Sequence, residues 1–296
     1  MRRPTFEDRL EYVAVIAFVK AASMLPAGAS VWFAAVLGKI AFGIIRFRRG
    51  VTLSNIGKHL TGSASDRVNA RIGSSSYASF GMGTAEFARL PGVTMDYMKR
   101  HIRLQGLEHL DTALDQKKGA ILVTGHFGSW ELMGCILVLL GYPVDFVVGV
   151  QRNPLVQMLM NDLRRAAGIG IIEPDSLLRM VRTLRANRFI AMLSDQDAGR
   201  HGVFVEFLGA PASTPQGAAR LALMTGAPVI PGFIIRLGGI KHRIVIEKPI
   251  YAARGVDKET AIADVTQSYT RVIETYVKRY PDHYLWAHRR WKTKKR

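Results

Sequence analysis

The sequence predicts an α/β fold: a mixed or mostly parallel sheet flanked by helices, with an N-terminal hydrophobic helical segment that associates with a membrane. Three observations carry this. From Ala120 onward, short continuous apolar runs alternate with amphipathic stretches, the pattern of strands covered on both faces by helices. From Tyr12 to Gly38 the only formal charge is Lys20. Apolar residues make up 48% of 296 and charged residues 22%, which allows a sizeable core and excludes a mainly disordered chain. No G-x-y period and no 20–50-residue repeat is present, so collagen and solenoid architectures are excluded. Residues 1–50 are expected to form the membrane-associating segment and 51–296 the α/β domain, its sheet starting near residue 120.

Taken in order, the run YVAVIAFVKAASMLPAGASVWFAAVLG is long enough to span a bilayer, but Pro26 and Gly28 interrupt it. It reads as one interrupted span, as a helical hairpin dipping into one leaflet, or as a hairpin buried in a core. A cleaved signal peptide fits poorly, because the apolar region is too long and no small-x-small site precedes Arg46, Arg48 and Arg49. Those cations directly after the apolar segment favour an anionic, cytoplasmic membrane face. Residues 51–115 read as helical with polar breaks. Gly81-Met82-Gly83 lacks a preceding strand and is not read as a nucleotide loop.

The predicted strands are Ala120–Thr124, Val144–Val150, Ile169–Ile172, Phe189–Leu193, Pro228–Arg236 and His242–Glu247. The predicted helices are Trp130–Leu140, Pro154–Ala167, Ser176–Ala186, Pro215–Thr225 and Lys258–Tyr280. In such sheets, sites lie beyond the C-terminal strand ends. That directs attention to the loops after Thr124, Val150, Leu193 and Phe207.

Composition narrows the partners. Lys and Arg number 41 against 23 Asp and Glu, a net charge of +18 that attracts anionic lipid, acidic protein or nucleic acid. Cys135 is the sole cysteine, so no intrachain disulfide and no Cys-rich zinc site can form.

The loop after Thr124 reads Gly125-His126-Phe127-Gly128-Ser129-Trp130-Glu131. A histidine on a strand-to-helix turn between glycines is placed to accept a proton as a general base. Glu131, one turn into the helix, is expected to fold back and fix the ring tautomer. The plainer reading is a capping histidine with a surface glutamate. A zinc site fits poorly, since no HExxH and no cysteine pair supplies ligands. Cys135 reads as a buried thiol rather than a nucleophile. Arg152 and Asn153 precede the helix at Pro154, and Arg164 and Arg165 close it, where cations also complement the helix dipole. Asp195 and Asp197 follow the strand Phe189–Leu193; two carboxylates alone do not make a metal cage, and Asp195 is expected to orient Arg164. Thr214 with Pro215 reads as a helix start whose amides either bind phosphate or are simply capped.

The segments GHFGSWE, QRNPL, SDQDAGRHGVFVEFLGAPASTPQGAARLALMTGAPVIP and YLWAHRRWKTK occur in this order. With them the chain, from about residue 10 to its C-terminus, resembles the late lauroyl- or myristoyl-transferring lipid A biosynthesis acyltransferases, within the broader His-x4-Asp/Glu glycerolipid acyltransferases. The resemblance implies an O-acyltransferase at the cytoplasmic face of the inner membrane, single-pass or monotopic. It implies an acyl carrier protein thioester as donor and a hydroxyl of a lipid A precursor or related glycolipid as acceptor. The family's histidine and acid fall on His126 and Glu131, its arginine on Arg164, and the first aspartate of its Asp-x-Asp motif on Asp195. No cofactor is expected, since the acyl thioester is a co-substrate.

The C-terminal stretch Trp286–Arg296 interleaves aromatic and basic residues. That suits a membrane interface, base stacking, or a disordered basic tail; the tryptophans favour packing of Trp286–Trp291. Together these readings point to an acyltransferase with His126 as base, Glu131 as its orienting acid and no covalent acyl-enzyme. The same chemistry on another glycolipid or a lysophospholipid is the nearest alternative. A non-catalytic, membrane-tethered binder of anionic lipid or nucleic acid is the alternative of another class; the basic cluster directly after the apolar segment favours the membrane over nucleic acid.

Overall fold

The structure is a computed structural model that describes residues 3–62, 65–253 and 255–295. Its first helices are α1 (Phe6–Met24) and α2 (Ala27–Gly43). Thr5 and Asp8 form a reciprocal capping box that starts α1. Leu25, held extended before Pro26, stops it, because the residue preceding a proline is pushed out of the helical region. The apolar run is therefore cut in two. Among the described residues no helix is long and apolar enough to cross a membrane; α1 and α2 follow one another as a helical hairpin packed on each other.

After α3 (Arg49–Ile56) comes α4 (Asp66–Ala88), which runs unbroken through Gly81-Met82-Gly83. Both N-terminal helices pack on it. Gly38 of α2 lies against the Tyr77 backbone and Gly81 of α4 against the Ala34 carbonyl, each with no room for a Cβ. These glycines set how closely the two helices approach.

The sheet begins earlier than residue 120. After α5 (Met95–His101) comes β1 (Ile102–Gln105), then α6 (Glu108–Asp115) and β2 (Ala120–Thr124). The βα units follow: α7 (Trp130–Leu139), β3 (Val144–Val147), α8 (Pro154–Ala166), β4 (Gly170–Ile172), α9 (Leu177–Arg185) and β5 (Phe189–Leu193). An antiparallel hairpin, β6 (Val203–Phe207) and β7 (Ala210–Thr214), stands outside the main sheet. Then come α10 (Gly217–Thr225), β8 (Val229–Gly238), β9 (Lys241–Ile246) and α11 (Lys258–Arg279).

The strand order is β1-β9-β8-β2-β5-β3-β4. Strands β8, β2, β5, β3 and β4 run parallel, whereas β9 pairs antiparallel to β8 and β1 runs with β9. Alternating side chains feed two cores. Ile121, Val123 and Ile190 pack with α9–α11, and Leu122 and Phe146 pack with α7 and α8 on the other face. Two expected bounds shift at the site. The strand beginning at Val144 ends at Val147, the last residue paired with β4. The helix expected from Pro215 starts at Gly217 with Gln216 as its cap residue, because Thr214 still belongs to β7.

Candidate active site

Parallel pairing of β2 with β5 matches Thr124 to Leu193. The residues two beyond each strand end, His126 and Asp195, therefore meet. The Asp195 carboxylate accepts from the His126 backbone amide at 2.8 Å and lies 2.7 Å from the ring Nδ1. Gly125 makes this possible: a Cβ there would sit 3.2 Å from Asp195 Oδ2. Burial pushes the Asp195 carboxyl up, but the His126 imidazole, its two hydrogen bonds and the Arg290 charge outweigh this, leaving it below the usual carboxylate range. The Gln196 side chain lies 3.2 Å from Nε2 on the opposite edge of the ring, and Trp130 contacts the ring edge-on at 5.2 Å.

Glu131 does not fold back on His126. It faces α8, where Arg164 Nε donates to both carboxylate oxygens at 3.0 and 3.2 Å and Nη2 donates to Oε1 at 2.5 Å. The expected pairs are exchanged: Asp195 holds the histidine and Glu131 holds the arginine. The reason is directional. The Glu131 side chain, in the first turn of α7, points across to the neighbouring helix, while the β5 loop opens directly onto the histidine turn. Arg164 also donates to Asn161 and lies over the Phe87 ring, so the pair ties α7, α8 and α4 together.

Other expected positions take structural roles. Asn153 caps α8, accepting from Leu155 and Val156, and donates to Asp8 O and Glu11 of α1. Arg152 is exposed on the same loop and does not line the site cavity. Asp197 receives Thr293 through backbone and hydroxyl, and its own amide donates to His288 Nε2. The two aspartates of the Asp-x-Asp segment thus serve different partners. Thr214, buried at the end of β7, takes a hydrogen bond from Arg290 rather than capping a helix. Cys135 is buried, and burial pushes its thiol up to about 11.

The C-terminal stretch is no loose tail. Trp286 and Arg290 are each 1% exposed; Arg290 donates to Ser213 O and Thr214, and Trp291 stacks on His59 and Phe207. The Leu285 amide donates to His126 O at 3.0 Å, so this segment braces the histidine turn from behind. Arg296 lies outside the described residues. Gln196, Leu285 and Arg290 are functional neighbours that the residue-by-residue reading missed. For Gln196 the signal was present, since it sits inside the same Asp-x-Asp segment.

Below His126 lies a cavity of about 700 Å³ between α7 and the sheet. Its walls are Leu122, Met133, Leu137, Val144, Phe146 and neighbouring apolar side chains; Glu131, Arg164 and Gln196 are among its few polar residues. Phe80 of α4 and Val150 also line it, and both are exposed. A histidine in the wall of a mostly apolar cavity can serve chemistry at the polar end of a hydrocarbon chain.

The chain is similar to known proteins. The family model for bacterial lipid A biosynthesis acyltransferases matches residues 5–293. A phosphatidylinositol mannoside acyltransferase of Mycobacterium tuberculosis is 32% identical over 53% of this chain and 52% of its own. The chain thus spans about half the length of that relative. The lipid A biosynthesis lauroyltransferase of Escherichia coli is 27% identical over 87% of this chain and 83% of its own. A solved 1-acyl-sn-glycerophosphate acyltransferase from Thermotoga maritima covers 83% of this chain and 96% of its own at 14% identity, with a TM-score of 0.40.

Proposed function

The chain belongs to the bacterial lipid A biosynthesis acyltransferase family, and on that premise we propose that it moves a fatty acyl chain from an acyl carrier protein thioester to a hydroxyl of a lipid A precursor. The observation that carries this is the His126–Asp195 pair over the apolar cavity. Nε2 of His126 takes the proton of the acceptor hydroxyl as its oxygen attacks the thioester carbonyl, forming the C–O bond. Collapse of the tetrahedral intermediate breaks the C–S bond, and the thiolate leaves with the proton returned by the imidazolium. Asp195 stabilises the imidazolium between these steps and holds Nδ1–H toward itself, so the lone pair stays on Nε2. No covalent acyl-enzyme is needed, because the thioester is already activated. The first turn of α7 has no side-chain cap, and its amides and the Gln196 side chain beside Nε2 are candidate donors to a developing oxyanion.

The acceptor is membrane-bound, and the N-terminal hairpin supports docking on the cytoplasmic face of the inner membrane. Phe6 (82% exposed), Leu10 and Val13 on α1, Trp32 (68%), Phe33 and Leu37 on α2, and Ile44, Ile45 and Phe47 beyond it leave an apolar surface uncovered. Arg46 and Arg48 lie beside it. This is a monotopic arrangement: apolar side chains enter one leaflet while cations meet the anionic headgroups.

A second acceptor, a mannosylated glycolipid, is favoured by the 32% identity to a mannoside acyltransferase. The test is mass spectrometry of lipids after incubating the protein with acyl carrier thioesters and each candidate acceptor. Acylated lipid A precursor, absent with His126→Ala, is the expected product. Acylation of the mannoside alone selects the second reading, and no acylated lipid from either acceptor overturns both.

A further inference from the structure

Helix α9 presents cations that the reaction does not use. Leu178, Arg182 and Arg185 recur at i, i+4 and i+7 and so share one face. All three are exposed, Leu178 at 73%. Arg179 flanks them. Lys117 and Lys118 lie beside the far end of the helix, since Gly119 packs against the backbone of Leu184 and Arg188. None of these five cations has a partner among the described residues. A helix whose exposed face combines a leucine with arginines, unpaired, is poor at covering a core and well suited to an acidic surface with an apolar centre.

Its charge and position suggest the occupant. Pro174, three residues before α9, lines the cavity, so the N-terminal end of this helix lies beside it, while the arginines lead away toward the end of the sheet where β2 begins. The α9 side chains pack on the sheet face opposite α7 and α8, whereas α1 is attached to α8. A bilayer seated on the exposed side of the hairpin therefore leaves α9 turned toward solvent, where a soluble donor arrives. Glu173 and Asp175 precede the helix at its positive dipole end. The cationic stretch therefore runs from Leu178 to Arg185, about 10 Å long, which matches the width of one facing helix, and a partner seated there reaches the cavity past the start of α9.

We propose that the α9 face built from Leu178, Arg182 and Arg185 is the docking surface for the acidic carrier domain that delivers the acyl thioester. This rests on the acyl-transfer reading above and adds where the donor binds. The test uses the full chain in detergent, with Arg182→Glu/Arg185→Glu as the variant and Leu178→Ser as a second, milder one. Fluorescence anisotropy reads the Kd of labelled acyl carrier protein. Turnover is measured with the same acyl chain on the carrier and on coenzyme A. The expected result is a Kd and a carrier-donor KM raised about tenfold or more by charge reversal, with kcat at saturation and turnover from the small thioester unchanged. Equal Kd values in wild type and variant overturn the proposal, as does an equal loss on both donors. Loss of binding to anionic vesicles with carrier affinity retained also overturns it and makes α9 a membrane face. If the wild type discharges neither donor, the acyl-transfer reading falls, and the carrier Kd comparison still decides the docking surface by itself.

Discussion

Asp195 is the acid whose loss should resemble loss of His126, and Glu131 is the acid whose loss should not. His126→Ala removes the base, so kcat is expected to drop roughly 100- to 10,000-fold with the fold intact. Asp195→Asn leaves the ring without its ionised partner, and kcat should fall by a comparable factor while acceptor KM changes little. Glu131→Ala strips the carboxylate from the buried Arg164 guanidinium, whose side chain is 8% exposed. Breaking such a pair costs about 3–5 kcal/mol, seen as a lower denaturant midpoint. A Glu131→Ala protein with unchanged stability and a collapsed kcat would return the orienting role to Glu131. A second buried group makes stability depend on pH. Burial pushes the His242 imidazole down to about 4, with Arg236 acting in the same direction and Glu86 opposing. Above about pH 6.5 the ring is neutral in both states and contributes nothing. As pH falls from there through about 4, the unfolded chain takes the proton and the folded one does not, so about 3 kcal/mol of stability is lost progressively. Urea unfolding at pH 7 and pH 4.5 should show this fall, and His242→Gln should flatten it; an unchanged slope in that variant assigns the acid sensitivity elsewhere.

At the scale of elements, α2 packs on α4 with one side and leaves apolar side chains exposed on another. Ala34 and Gly38 face α4, while Trp32 and Phe33 point outward. Gly81→Val should destabilise the fold, because the Ala34 carbonyl it meets is backbone and cannot yield as a flexible side chain would. Trp32→Glu/Phe33→Glu should leave thermal unfolding unchanged and abolish co-sedimentation with anionic vesicles. Undiminished sedimentation would move the membrane contact away from α2. The same element shows what the sequence could and could not disclose. The break at Pro26 was readable, because proline acts locally on Leu25. That α2 lies on α4 rather than alone in a bilayer depends on glycines 43 residues apart. Buried strands such as Ala120–Thr124 and Phe189–Leu193 were readable as apolar runs. The hairpin β6–β7 was not, since its turn uses Leu208 and Gly209, both at positive φ, instead of the usual Asn-Gly. His126 was legible from its place after a strand. Its partner was not, because only the β2–β5 register brings Asp195 to it.

For the molecule as a whole, a net charge of +18 sets up a long-range field, but its cations are not equivalent. Arg164 and Arg290 are buried and Arg236 is nearly so, and they hold Glu131, the β7 end and Glu86, respectively, so they contribute to architecture before they contribute to steering. The exposed ones, Arg289, Lys294 and Lys295 at the C-terminal end and those on α9, remain to attract anionic partners. Screening shrinks to about 8 Å near physiological ionic strength, so kcat/KM should fall as salt is added while kcat at saturation stays level. Replacing Arg289, Lys294 and Lys295 by Gln tests whether that end guides a substrate: a flattened salt slope assigns it the role, and a retained slope leaves steering to α9 and the hairpin cations. Arg290→Gln must be kept apart from this series. It leaves the Ser213 carbonyl and the Thr214 hydroxyl without their buried donor and removes positive charge from beside Asp195. It should therefore lower the unfolding midpoint and slow turnover at every salt concentration, with the salt slope itself unchanged. A variant that loses only the slope would show that Arg290 acts by field, against its 1% exposure.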